Sequence, residues 1–221
     1  MSWPMSEHRT ISQLLSDCGL TIDLDITRFR DEPSRAERRL LKMLDGPVLD
    51  VGCGPGRAAA FLRDHGVAAL GLDISAALVD LARKNGALCV HQSIFDTVPF
   101  EGRWHEVLLL DGNIGIGGDP TKMLERLARI VRPNGRAFIE VASSGPTRQV
   151  VVREHRGGKT GEPFAWAVVS IDGIDDLLAG TGWVCRHLHT IHDRRPGERW
   201  RPSDRQHGVD DRLVVELELI S

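Results

Sequence analysis

The chain has 221 residues, a formal net charge of −3 and 41% hydrophobic residues. That length suits one core domain with an N-terminal extension, large enough to bury a substantial interior. The slightly acidic balance argues against a nucleic-acid partner, and four scattered cysteines (Cys18, Cys53, Cys89, Cys185) with no CxxC pair argue against a disulfide frame or a zinc site.

Residues 1–10, MSWPMSEHRT, lack the apolar core of a secretory leader. No apolar run approaches the ~18 residues of a membrane span. The expectation is a cytoplasmic protein, monomer or homodimer, with no membrane partner. Residues 1–46 read as a helical extension. Ile11, Leu14 and Leu15 suggest a short amphipathic helix, and Ser34-Arg35-Ala36-Glu37 is a capping box leading into Leu40, Leu41 and Leu44. Asp45-Gly46-Pro47 stops that helix. Thr27–Arg30 is a candidate lid.

Val48–Arg57 reads VLDVGCGPGR. An apolar run with one acid, Asp50, breaks into Gly52-Cys53-Gly54-Pro55-Gly56, with Pro55 in the first turn of the helix that follows. A strand, a glycine turn and a helix bring bare backbone N–H groups up to a ligand. The spacing is not that of a dinucleotide site. The last glycine falls at 56, and position 57 of that fingerprint is arginine. A carboxylate two residues before the loop suits a cationic ligand. In these residues the chain resembles motif I of class I S-adenosylmethionine-dependent methyltransferases, whose cofactor carries an ammonium and a sulfonium and no phosphate.

That resemblance implies a fold and a set of contacts for residues 47–221. The fold is α/β, a doubly wound seven-stranded sheet, mostly parallel, with an antiparallel last strand. Gly52, Cys53, Gly54 and Gly56 would line the cofactor. Val67–Leu72 is the next strand, ending in Asp73, which would accept both ribose hydroxyls, with Ile74 on the adenine face. Ser75–Lys84 reads as a helix with Leu78, Leu81 and Ala82 inward, and Ala87–His91 as a third strand. In the loop after it, Ser93 would meet the exocyclic amine, with Ile94 and Phe95 as apolar contacts. Trp104–Leu110 is a strand in which His105 and Glu106 lead into Val107-Leu108-Leu109-Leu110, a continuous apolar run that fits a central strand. It ends in a loop with four glycines, Asp111–Asp119, which the resemblance places beside the methionine moiety, with Asp111, Gly112 or Asn113 touching it.

Asp119-Pro120 opens a helix with Leu124, Leu127, Ala128 and Val131 on one face. Arg132-Pro133-Asn134-Gly135 is a turn, and Arg136–Ala142 a fifth strand. Residues 143–171 exceed the minimal fold and read as a β-hairpin insertion, strands Gln149–Arg156 and Phe164–Ser170. Arg153, His155 and Trp166 are its candidate substrate contacts, with His155 the candidate general base. Trp183–Ile191 and Arg212–Ile220 are the last two strands, the latter alternating as an edge-side strand does. His187, His189 and His192 lack the acid or cysteine that would complete a metal set, so no metal is expected. Arginines around Trp200 mark the connecting loop.

The expected function is methyl transfer from S-adenosylmethionine to an oxygen, nitrogen or carbon of a small-molecule acceptor. The alternatives are an RNA or protein methyltransferase and a non-catalytic cofactor-binding module. A nicotinamide-dependent dehydrogenase is disfavoured by Arg57.

Overall fold

A computed structural model describes residues 11–25, 32–156, 158–192 and 211–220. The elements in chain order are β1 (Ile11–Ser16), β2 (Thr21–Asp25), α1 (Arg35–Leu41), β3 (Val48–Val51), α2 (Arg57–Asp64), β4 (Ala69–Asp73), α3 (Ala76–Lys84), β5 (Cys89–His91) and β6 (Trp104–Leu109). Then follow α4 (Pro120–Ile130), β7 (Val131–Val141), β8 (Arg148–Arg156), β9 (Lys159–Val168), α5 (Ile174–Leu178), β10 (Trp183–His192) and β11 (Asp211–Leu219).

Seven strands form the main sheet in the order β10-β11-β7-β6-β3-β4-β5. Its pairs from β7 to β5 are parallel, and β11 runs antiparallel to both β7 and β10. The class I methyltransferase topology expected from the sequence is the one observed. Alternate residues of the central strands feed two cores, because helices cover both faces. Leu49, Val51, Val107, Leu109 and Ile139 pack toward Leu124, Leu127 and Ile130 of α4. Val48, Leu108 and Phe138 pack toward Leu41 of α1, Leu62 of α2, and Val79 and Ala82 of α3. Each large apolar side chain so buried contributes on the order of 2 kcal/mol.

Several local expectations are corrected. Residues 11–16 form a strand, not a helix. The segment is short and closed by a tight turn, in which the Gly19 N–H donates to the Ser16 carbonyl at 3.1 Å and the Leu20 N–H to Ser16 Oγ at 2.8 Å. Strand β1 then pairs with both β2 and β8. The N-terminal segment and the insertion are therefore parts of one four-stranded sheet, β2-β1-β8-β9. Among the described residues of the extension α1 is the one helix, and its capping box forms as read from Ser34 and Glu37. The candidate lid Thr27–Arg30 and the arginine–tryptophan loop lie outside the described residues. In α3 it is Val79 and Ala82 that are buried, with Leu78 and Leu81 half-buried. Gly56 is the N-cap of α2, so Pro55 precedes the helix. Strand β7 begins earlier than expected, at Val131, with the turn surviving as a register shift and a positive φ of 58° at Asn134. Strand β11 is interior, between β7 and β10, and its Glu216 is buried against Arg136 at 3.1 Å and His189 at 2.9 Å. No helix among the described residues is long and apolar enough to cross a membrane.

Candidate functional site

The chain runs outward from β3 through β4 to β5, then returns to the other side of β3 as β6. Connections after β3 and β6 therefore leave the sheet in opposite directions, and a crevice opens over the carboxyl ends of those two strands. The two glycine-rich loops of the sequence are its two lips.

The first lip is tied down by backbone bonds. The Cys53 N–H donates to the Leu72 carbonyl at 3.0 Å. The Gly54 N–H donates to Asp73 Oδ2 at 2.9 Å, and the Ser75 N–H to Oδ1 at 2.8 Å. Glycine loop and strand-end acid thus meet at one point. The second lip is stapled to the first by Asn113, whose amide nitrogen donates to the carbonyls of Val51 at 2.8 Å and Gly52 at 3.0 Å. Gly52 has φ +67°, and a Cβ there would lie 2.5 Å from that nitrogen, so only glycine fits. Beneath the loop, the thiols of Cys53 and Cys89 touch at 3.1 Å across Gly71, where a Cβ would lie 2.5 Å from the Cys53 sulfur.

A buried ion network closes one end of the crevice. Arg57, the first residue of α2, reaches Glu37 Oε1 and Asp111 Oδ2, both at 2.8 Å. Arg212, at the start of β11, reaches Glu37 at 2.6 Å, Asp111 Oδ1 at 3.1 Å and the Glu140 carboxylate. The Asp111 N–H donates to Glu140 Oε2 at 2.7 Å. Burial alone would raise the Glu37 carboxyl, but the charges of Arg57 and Arg212 and the Ser34 N–H outweigh it and hold it at about 2. Asp50 is 4% exposed. Burial pushes its carboxyl up to about 7; the Arg57 charge opposes this, and Asp111 and Asp73 add to it.

Residues 48–135 match the family described as methyltransferase domain. The matched segment spans β3 to the start of β7, the parallel half of a sheet with the class I methyltransferase fold. Malonyl-[acyl-carrier protein] O-methyltransferase of Salmonella typhimurium is 32% identical over 102 residues, covering 43% of this chain and 40% of that one. The chain spans about two fifths of the length of the curated relatives named first, the ubiquinone biosynthesis O-methyltransferase of Coxiella burnetii among them at 28% identity, 41% of each chain covered. Among solved structures, a SAM-dependent methyltransferase from Bacteroides fragilis in complex with S-adenosylhomocysteine superposes with a TM-score of 0.69 at 18% identity, over 97% of this chain and 90% of that one.

Within this fold, the residues singled out from the sequence divide. Gly52, Cys53, Gly54, Gly56, Asp73, Gly112 and Asn113 all fall on the two lips. Ile74, 71% exposed, and Phe95, 44% exposed, stand open beside them. Ile94 is 3% exposed and packs in the core, so its side chain is withdrawn from the crevice, contrary to expectation. Ser93 Oγ accepts the Phe95 N–H at 3.2 Å. The Asp111 carboxylate bonds Arg57 and Arg212 instead of standing free for a ligand, and Asp50 is buried beneath the loop. Of the insertion, Trp166 bridges to Ile116, and its indole lies against Gly115 of the second lip. His155 pairs with Gln13 and bonds Thr160 Oγ1 at 3.1 Å, at the far end of the second sheet. It lies five residues beyond Val150, the partner of Trp166, roughly 16 Å along the strand.

Arg57, Arg212, Glu37 and Glu140 join the site only in the folded chain. One signal was present: Glu140 stands in the apolar run Phe138-Ile139-Glu140-Val141, where a charge needs a partner. Which partner is set by β11 folding back beside β7.

Proposed function

We propose that this chain binds S-adenosylmethionine in the crevice and transfers its methyl group to a small-molecule acceptor. The observation that carries the reading is the junction of the first glycine loop with Asp73, bordered by open space. A Cβ built at Gly54 or Gly112 would meet no protein atom within 4 Å, so both lips leave room for a ligand against bare backbone. Asp73 accepts one backbone N–H on each oxygen and keeps lone pairs for a pair of ribose hydroxyls. Ile74 and Phe95 offer exposed apolar faces for a flat base.

The bound cofactor supplies a methyl group already activated on a sulfonium. The protein's part is alignment and exclusion of water. Gly54 and Asp73 hold the nucleoside end. The Asp111–Asn113 turn lines the other end, and the net negative charge of the acids there favours a cation. Trp166, against the second lip, is the insertion residue placed to touch an acceptor. The names of the relatives, O-methyltransferases, support a small acceptor or one carried on a larger molecule. A nitrogen acceptor has support from the Burkholderia thailandensis 1,6-didemethyltoxoflavin-N1-methyltransferase, which superposes with a TM-score of 0.57 at 20% identity, over 85% of this chain and 80% of that one.

Calorimetric titration with S-adenosylmethionine, S-adenosylhomocysteine and NAD tests the cofactor. Micromolar binding of the first two is expected, and binding of NAD alone would overturn the reading. Methyl incorporation into a metabolite panel but not into bulk RNA is expected; the reverse would move the acceptor to a macromolecule.

A further inference from the structure

Asp111 has φ +56° and Gly112 φ +75°, two successive left-handed residues where β6 gives way to the second lip. Glycine takes that conformation freely, whereas aspartate does so at a cost of about 1 kcal/mol or more, and the conformation persists only where its surroundings over-determine it. The surroundings here are the ion network. Arg57 takes one carboxylate oxygen of Asp111 and Arg212 the other, at 2.8 and 3.1 Å. The residue's own N–H is held by Glu140, which Arg212 also grips. Arg212 and Arg57 share Glu37, so the two forks are braced against each other. The side chain of Arg212 is 5% exposed, and the residue sits on β11, the antiparallel strand outside the nucleotide-binding half of the sheet.

We infer that Arg212 is a positioning residue for the cofactor site: by clamping both Asp111 and Glu140 it holds the Asp111–Gly112 turn left-handed, so that the backbone of the second lip faces the ligand. This rests on the function proposed above for the crevice, and it assigns that function a residue far outside the glycine motifs. Arg212 does not act on the reacting atoms. It acts through Asp111, and its effect disappears when position 111 no longer needs to be held.

The test is a double-mutant cycle of Arg212→Gln with Asp111→Gly. The double variant removes one positive and one negative charge, so the net charge of the network is unchanged. Arg212→Gln alone is expected to weaken S-adenosylhomocysteine binding roughly tenfold and to speed hydrogen exchange of the amides of residue 111 and Asn113, which are bonded to Glu140 and to the Leu110 carbonyl. In the Asp111→Gly background the same change is expected to add little to S-adenosylhomocysteine binding or to exchange at Asn113, whose amide does not bond Glu140. Arg212→Lys, which keeps the charge but not the fork, should show a smaller loss in the same direction and serves if the glutamine variant does not fold. Independent, multiplying losses in the cycle, or unchanged loop exchange in Arg212→Gln and Arg212→Lys, would overturn the assignment. The exchange readout needs no ligand. A wild-type protein that fails to bind S-adenosylhomocysteine would sink the cofactor reading while the exchange cycle still decides the role of Arg212.

Discussion

Asp73 holds two backbone donors, Gly54 and Ser75, and either oxygen has capacity for one more. Asp73→Asn keeps an acceptor but loses the charge and one oxygen. S-adenosylhomocysteine affinity is expected to fall by roughly ten- to a hundredfold, measured by calorimetry; unchanged affinity would remove Asp73 from the site. Gly52 and Asn113 form a second local unit. Gly52→Ala combines a left-handed φ with a clash against the Asn113 amide, and should lower the unfolding free energy by about 1–3 kcal/mol. In an Asn113→Ala background the clash is gone and only the backbone cost remains. Urea unfolding of the four proteins should therefore show a smaller loss for Gly52→Ala there, and equal losses would mean that the two residues do not touch.

Helix α1 is short; beside the buried Leu40 and Leu41, one charged side chain ties it to the domain. Glu37 completes the capping box with the Ser34 N–H at 2.9 Å, and its other oxygen serves Arg57 and Arg212. Removing one partner from a buried ion network leaves uncompensated charge and costs about 3–5 kcal/mol. Glu37→Gln is expected to lose that much at neutral pH in chemical denaturation. The pH dependence follows from the folded carboxyl at about 2, below its unfolded value. The stabilisation is fully present above the unfolded value, near 4.3, and is lost as pH falls toward 2. The variant should therefore show a flatter acid limb than the parent protein. The same helix joins the N-terminal strands to the crevice, because α1 follows β2 and the network follows α1.

For the molecule as a whole, Asp50 works in the opposite direction. Its folded carboxyl, at about 7, lies above its unfolded value of roughly 3.9. Between those values the folded state binds the extra proton, so this residue's contribution to stability declines as pH rises through that window. With Glu37 governing the acid side, the thermal midpoint is expected to be higher near pH 5 than near pH 8. Asp50→Asn should narrow that difference in a melting series. A parent protein equally stable at both values would show that Asp50 stays charged in the fold. The cause is the position of Asp50 on β3, covered on both faces: burial removes water from its carboxyl, and the charge of Arg57 and the Ala59 N–H offset that loss in part.

By itself the sequence determined the parallel half of the sheet and the lips of the crevice. VLDVGCGPGR, the acid at 73 and the glycines after Leu110 are local patterns, set by strand burial and by backbone that must run bare past a ligand. Helix starts at Ser34, Ser75 and Asp119 were equally legible, since a cap is satisfied within three residues of chain. Only the tertiary structure decided that residues 11–16 are a strand, because one edge of β1 is completed by β8, more than 120 residues further on. It alone withdrew Ile94 and turned Asp111 inward, since both depend on which distant side chains arrive beside them. Arg212 reaches Glu37 across 175 positions; no spacing along the chain encodes such a pair, which exists because β11 inserts antiparallel between β7 and β10 and carries Arg212, its second residue, to the mouth of the site.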